Sequence, residues 1–235
     1  MSSYHYLGMI TAGTFMLTVI GLYYQLAMVL RRRKLFLSNP LTNERPTNIV
    51  SLNQLGSVYL ACYAFFLYGL NVHPINHYLA WPRFMAMLVL LLLFYQVLVD
   101  RRDLSSVIVF YSAIGMLVIS AFLFWCKAAL QDYAKNAAQG LVIIATLVLA
   151  QGYLHQILLI RRSGITGAVS IEFHQCVLLT AICTVAFGFV IGLKDGWPLI
   201  LLASVSTILK LITLWHFRWV RISETAKIRR TKNTR

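Results

Sequence analysis

The chain has 235 residues, 59% of them hydrophobic, a mean hydropathy of +0.72 and only 12% charged residues, where an ordinary soluble domain is about a quarter charged. These values exclude a water-soluble globular fold and make lipid the solvent for most of the chain. A net charge of +14 points to nucleic acid in a soluble protein, but here the basic residues sort by loop and no nucleic-acid partner is expected.

Seven apolar segments are long enough to cross a hydrocarbon core of about 30 Å as helices of roughly 20 residues. They cover residues 7–30, 49–70, 81–99, 105–125, 137–160, 170–192 and 197–217. Helices are preferred to barrel strands because every backbone N–H must find a partner inside hydrocarbon, and the apolar runs are continuous rather than alternating. Residues 1–6 carry no lysine or arginine and the first run is too long for a signal-peptide core, so the first helix is expected to stay in the mature protein.

The first segment closes on Gly21-Leu22-Tyr23-Tyr24-Gln25 and runs into Arg31 and Arg32. Residues 31–48, with Pro40 and Pro46, read as a long irregular cytosolic connector, and all five prolines are expected in loops or at helix ends. Val50-Ser51 opens the second segment. The fifth closes on Gly152-Tyr153-Leu154-His155-Gln156, 131 residues after the first copy, and again runs into two arginines. Val169-Ser170 opens the sixth, and Gly188 lies 18 residues beyond its serine just as Gly69 does beyond Ser51. The seventh holds Lys210.

Of the 21 Lys and Arg residues, 16 follow the first, third, fifth and seventh segments, four belong to the opposite side, Arg83 among them, and Lys210 is inside the seventh. The bias of cytoplasmic loops toward positive charge then predicts a multi-pass integral membrane protein with its N-terminus outside or luminal and its C-terminus cytosolic. The densest basic stretch, residues 218–235, is expected to contact anionic lipid headgroups at about 1 kcal/mol per basic residue.

Two three-helix units separated by one helix form a parallel repeat, because the fourth helix returns the chain to its starting side. The expected fold is therefore all-α and transmembrane, seven helices in a 3+1+3 order. Residues 1–102 form the first repeat, 103–136 the linker helix and loop, 137–217 the second repeat and 218–235 the tail. Sites in such proteins lie near the midplane where the halves meet.

This pattern resembles the PQ-loop superfamily, which includes the SWEET sugar transporters, the cystinosin-like amino-acid exporters and the KDEL receptors. The resemblance rests on the 3+1+3 count and on two copies of a helix that ends in Gln, followed by basic residues and a Ser-initiated helix. The second copy, from His155-Gln156-Ile157 to Ser170, is close to the superfamily's Pro-Gln, Lys-Ser, Gly-x-Ser succession; Tyr24 and His155 stand in the proline's place. The resemblance implies a solute site between the halves and a gating role for Gln25 and Gln156, with Gly21 and Gly152 supplying flexibility. Small residues in membrane helices also permit close packing, and a buried glutamine also serves as interhelical glue worth about 1 kcal/mol.

Lys210, an ionisable side chain within the seventh apolar run, faces a cavity and binds an anionic group, or snorkels to the interface. Ser206 lies one turn away, and Tyr63 and Asn53 on the second helix are further candidates for the cavity wall, so Lys210, Ser206, Tyr63 and Asn53 form the expected substrate-binding set. Tyrosines at such positions also serve simply as packing. Glu172, His174 and His155 are candidates for a titrating group near the cytosolic side, or else interfacial residues with ordinary partners. No intramembrane carboxylate is available as a retinal counter-ion, and no cofactor, zinc site, disulfide framework or enzymatic motif is expected.

The expected function is a transporter or facilitator for a small polar solute (amino acid, organic acid or sugar), working by alternating access between two helix triplets. The alternative is a non-transporting receptor or sorting protein of the same fold, similar to the KDEL receptors. The expected partners are the bilayer, the solute and the anionic lipids at the tail. Self-association into a homo-oligomer is left open.

Overall fold

The computed structural model describes residues 3–38, 45–47, 50–71, 75–125, 131–166 and 169–233. Among them the chain forms eight α-helices: α1 (Ser3–Ser38), α2 (Leu52–Asn71), α3 (His77–Arg101), α4 (Leu104–Trp125), α5 (Gln131–Ser163), α6 (Ile171–Ile191), α7 (Leu193–Ile222) and α8 (Glu224–Asn233). Six of them, α1 and α3 to α7, are long and apolar enough to cross a membrane, as a multi-pass membrane protein requires. The seventh expected crossing is α2, which has 20 residues but carries Asn53, Gln54, Ser57, Tyr59, Tyr63 and Tyr68. Its polarity has a structural reason. Fourteen of its residues are buried against other helices, so its side chains meet protein rather than lipid.

Several helices outrun their apolar cores. The segment 31–38, expected as irregular connector, continues α1 as helix, while Pro40 and residues 41–44 lie outside the described residues. Lys and Arg are good helix formers, and nothing in 31–38 interrupts the hydrogen-bond ladder. The tail is likewise helical as α8. Gly164, with φ +68°, allows this: a Cβ there would stand 2.5 Å from the carbonyl oxygen of Ala226. Arg229 also donates to the carbonyl of Arg161, fastening α8 to the end of α5.

The prolines require a correction. Pro82 and Pro198 lie inside α3 and α7, each five residues after the first residue of its helix and each preceded by tryptophan. Both helices were expected to begin at that Trp-Pro pair. For α3 the earlier start has an identifiable cause, since Asn76 caps it by accepting from the N–H of Leu79 at 3.1 Å, as a short polar side chain does at an N-terminus.

α3 packs against both α1 and α2, and α7 against both α5 and α6; α1 packs on α6 and α2 on α5, which closes a ring of six helices. Among the described residues α4 touches only α2 and α3, and α8 only α5 and α7. At one end of the bundle Tyr4 meets Tyr78 and Phe187; the opposite end carries α8.

Glycines set the closest crossings. A Cβ on Gly21 would lie 2.8 Å from Cα of Phe173 on α6, and one on Gly152 would lie 2.2 Å from Oγ of Ser57 and 2.9 Å from the carbonyl oxygen of Asn53 on α2. Close packing of α1 on α6 and of α5 on α2 therefore uses the two glycines that were candidates for flexibility.

At the α8 end, Asp103 holds the first turn of α4, accepting from both the N–H and the hydroxyl of Ser106. The Ser106 hydroxyl is the largest influence holding the Asp103 carboxyl below its ordinary range. A carboxylate favoured in the folded state contributes stability above its unfolded pKa and loses it as pH falls through the lower folded value. Asp103→Ala is expected to lower the melting temperature in detergent by roughly 2–4 °C at neutral pH, with the difference from the parent vanishing in strong acid.

Candidate functional site

Within the ring of helices lies a cavity of about 70 Å³ to which all six members contribute. Phe15, Thr18 and Leu22 come from α1, Val58, Ala61, Cys62 and Phe65 from α2, and Arg83 from α3; Leu149 and Tyr153 come from α5, Val177, Thr180, Ala181 and Thr184 from α6, and Leu202, Ala203 and Ser206 from α7. One water needs at least about 10–15 Å³ of such space, so the cavity suits about five waters or one small molecule. Its walls are mostly apolar. Their threonine hydroxyls are largely occupied: Thr18 and Thr180 lie 2.7 Å apart across the α1–α6 seam, and Thr184 donates to the carbonyl of Thr180.

Arg83, counted from sequence with the outer loop, is instead 1% exposed and inside this cavity wall. Its Nη1 donates to the carbonyl of Leu79 at 3.1 Å, and its guanidinium lies 4.5 Å from the Phe15 ring centre and 5.0 Å from that of Phe65. Its Nε has no hydrogen-bond partner, and no carboxylate pairs with it among the described residues. Cation–π contacts of this kind are worth about 0.5–2 kcal/mol each, whereas the effective cost of burying an ion is several kcal/mol. The charge is thus only partly offset. The available signal was its place directly after the Trp-Pro pair that recurs at Trp197-Pro198.

Lys210 is also fully buried, so it does not snorkel out of the bundle. Its Nζ lies 2.8 Å from Nδ1 of His174, 3.9 Å from the Tyr153 ring centre and 4.7 Å from that of Phe173. The lysine nitrogen and Nδ1 of His174 share this hydrogen bond, and Nε2 of the imidazole is buried without a partner among the described residues. Tyr153 belongs to both places, with its ring against Lys210 and its side chain on the cavity wall.

Of the expected substrate-binding set, the cavity contains only Ser206. Lys210 stands beside it, bound to His174. Tyr63 is buried in the core of α2, and Asn53 is exposed, lining a groove between α2, α3, α4 and α5. The expected titrating group does not assemble. His174 pairs with Lys210, His155 Nδ1 lies 2.9 Å from the Ser51 hydroxyl, and Ser170 donates to Glu172.

Gln25 and Gln156 have matching partners at the α8 end. The N–H of Ser170 donates to Oε1 of Gln25 at 2.7 Å, and the N–H of Ser51 donates to Oε1 of Gln156 at 2.8 Å. Each serine also uses its own hydroxyl to accept from the N–H three residues on, at Phe173 and Gln54. A helix leaves its first N–H groups without internal partners, so each glutamine completes the start of a helix across the α1–α6 or α2–α5 seam. Gly21 and Gly152 stand four residues earlier on the same helix faces, allowing the approach that brings the amides into range. Gln156→Leu leaves the Ser51 N–H buried and unpaired, and is expected to cost about 1–3 kcal/mol, measurable by thermal unfolding in detergent.

No protein-family model, curated protein or solved structure matches the chain.

Proposed function

We propose that this protein is a PQ-loop-like membrane transporter or facilitator for a small polar solute, working by alternating access between two three-helix units. The observation that carries this reading is the central cavity, walled by one set of residues from α1, α2 and α3 and another from α5, α6 and α7. In this reading α2 is the seventh crossing, since 20 helical residues span about 30 Å. Residues 1–102 and 137–217 are then parallel repeats, 103–136 the inverting linker and 218–235 a basic cytosolic tail.

The packing supports the repeat: α3 contacts α1 and α2 as α7 contacts α5 and α6, and α4 stands outside the ring. Equivalent chemistry supports it too. The Gly, Gln and Ser of one seam recur in the other, and Gly69 and Gly188 each face the helix that follows, with a Cβ at Gly69 meeting Leu79 and one at Gly188 meeting Ile200. Gln25 and Gln156 act as the gate, and their hydrogen bonds close the α8 end, which the basic loops make cytosolic.

Purified protein in liposomes is expected to raise uptake of at least one labelled sugar, amino acid or organic acid above protein-free vesicles, with Ser206→Phe abolishing the increase by filling the cavity. Uptake equal to empty vesicles across all three classes removes this reading. One observation favours a receptor of the same fold instead: α1 and α5 run unbroken through Tyr24 and His155, where the superfamily has a helix-bending proline. A crosslinked partner that is lost on Ser206→Phe and kept on deletion of 224–235 would support that second function.

A further inference from the structure

We infer that the central cavity binds a small monocarboxylate, with Arg83 receiving the carboxyl group. This deepens the cavity-based reading above by naming the solute class and a residue that contacts it. Arg83 brings a positive charge into the wall, its Nε–H is buried with no acceptor, and among the described residues no carboxylate neutralises it. The one carbonyl and two aromatic rings around it offset the cost of burial only in part. A ligand carboxylate supplies what is missing: a full opposite charge against the guanidinium, which favours carboxylate partners.

Size and lining narrow the class. A cavity of about 70 Å³ holds about as many heavy atoms as a two- or three-carbon acid. Around the rest of the space stand Leu22, Val58, Leu149, Ala181 and Leu202, which suit a short alkyl group, and among the described residues the wall offers no second cation for a dicarboxylate. Lys210 is engaged by His174 and the rings of Tyr153 and Phe173. A zwitterionic amino acid is disfavoured because no carboxylate among the described residues lines the wall to take its ammonium group.

The test uses the full chain in lipid nanodiscs and ligand-observed NMR with propionate, against propionamide as its uncharged counterpart. Saturable propionate binding is expected, with propionamide at least tenfold weaker, Arg83→Gln lowering propionate affinity at least tenfold and Arg83→Lys lowering it less. Equal binding of the amide and the acid, or unchanged affinity in Arg83→Gln, overturns the inference. If Arg83→Gln fails to fold, Ala181→Leu leaves the arginine in place and fills the cavity; propionate binding is then expected to disappear, and its persistence overturns the inference equally. Propionate binding without flux in liposomes retains this site and removes the transport reading, whereas flux of a neutral solute that Arg83→Gln does not alter retains transport and removes this site.

Discussion

Gly152→Ala is expected to destabilise the protein by about 1–3 kcal/mol, the usual range for overpacking a tight interior, and Gly152→Val to prevent its accumulation as folded protein. The added carbon would stand 2.2 Å from Oγ of Ser57, 2.8 Å from its Cβ and 2.9 Å from the carbonyl oxygen of Asn53. Turning the serine hydroxyl away removes only the first of these clashes. The second involves an atom fixed to the α2 backbone and the third is backbone itself, so α2 and α5 must move apart. Gly140 on the same helix is the control, because a Cβ there meets nothing within 4 Å; Gly140→Ala is expected to be neutral or mildly stabilising, as alanine is the better helix former. Thermal unfolding in detergent checks both, and equal behaviour of Gly152→Ala and Gly140→Ala would refute the close crossing. Ser57→Gly is expected to restore part of the stability lost in Gly152→Ala by removing the nearest side-chain atoms.

Lys210→Ala is expected to cost about 2–4 kcal/mol, combining a truncation void with the loss of a buried hydrogen bond. Nδ1 of His174 loses its hydrogen-bond partner and the faces of Tyr153 and Phe173 lose the amino group against them. Lys210→Met keeps the length and apolar stem while removing the cost of holding an amino group out of water, so it is expected to lose less than about half as much. Chemical unfolding curves of the two variants decide the matter. If methionine is as damaging as alanine, the amino group itself stabilises the bundle and the account of Lys210 as an expensive buried polar group is wrong. If methionine keeps stability but abolishes uptake in liposomes, the amino group is retained for function.

The membrane helices were legible because lipid forces long apolar runs into helices whatever their neighbours are. Their ends were not, because residues such as Arg31 to Lys34 are polar enough to look like a connector and yet are good helix formers once a helix is under way. α2 was legible by length and by its opening serine, although its polar content places it outside the six plainly membrane-grade helices. Gly21, Gln25, Gly152 and Gln156 stood out by their repeated spacing, but their acceptor and donor relationships lie 145 and 105 residues away along the chain and leave no local trace. Lys210 drew attention as an isolated charge; His174, which binds it, looked like an interfacial residue. Arg83 was overlooked because a charge six residues after a helix start resembles a loop charge, and the proline before it seemed to end the loop rather than lie within α3.

The long separation of the glutamine contacts bears on how the protein is made. A ribosome-bound chain inserts α1 with Gln25 on it well before Ser170 exists, and Thr18 waits still longer for Thr180, 162 positions downstream. Until α6 arrives, these amide and hydroxyl groups sit in the bilayer without their final partners, in a medium that penalises such exposure. Biogenesis therefore contains an interval in which the earliest-inserted helix is the least settled one, and that interval ends only when the penultimate long helix docks against it.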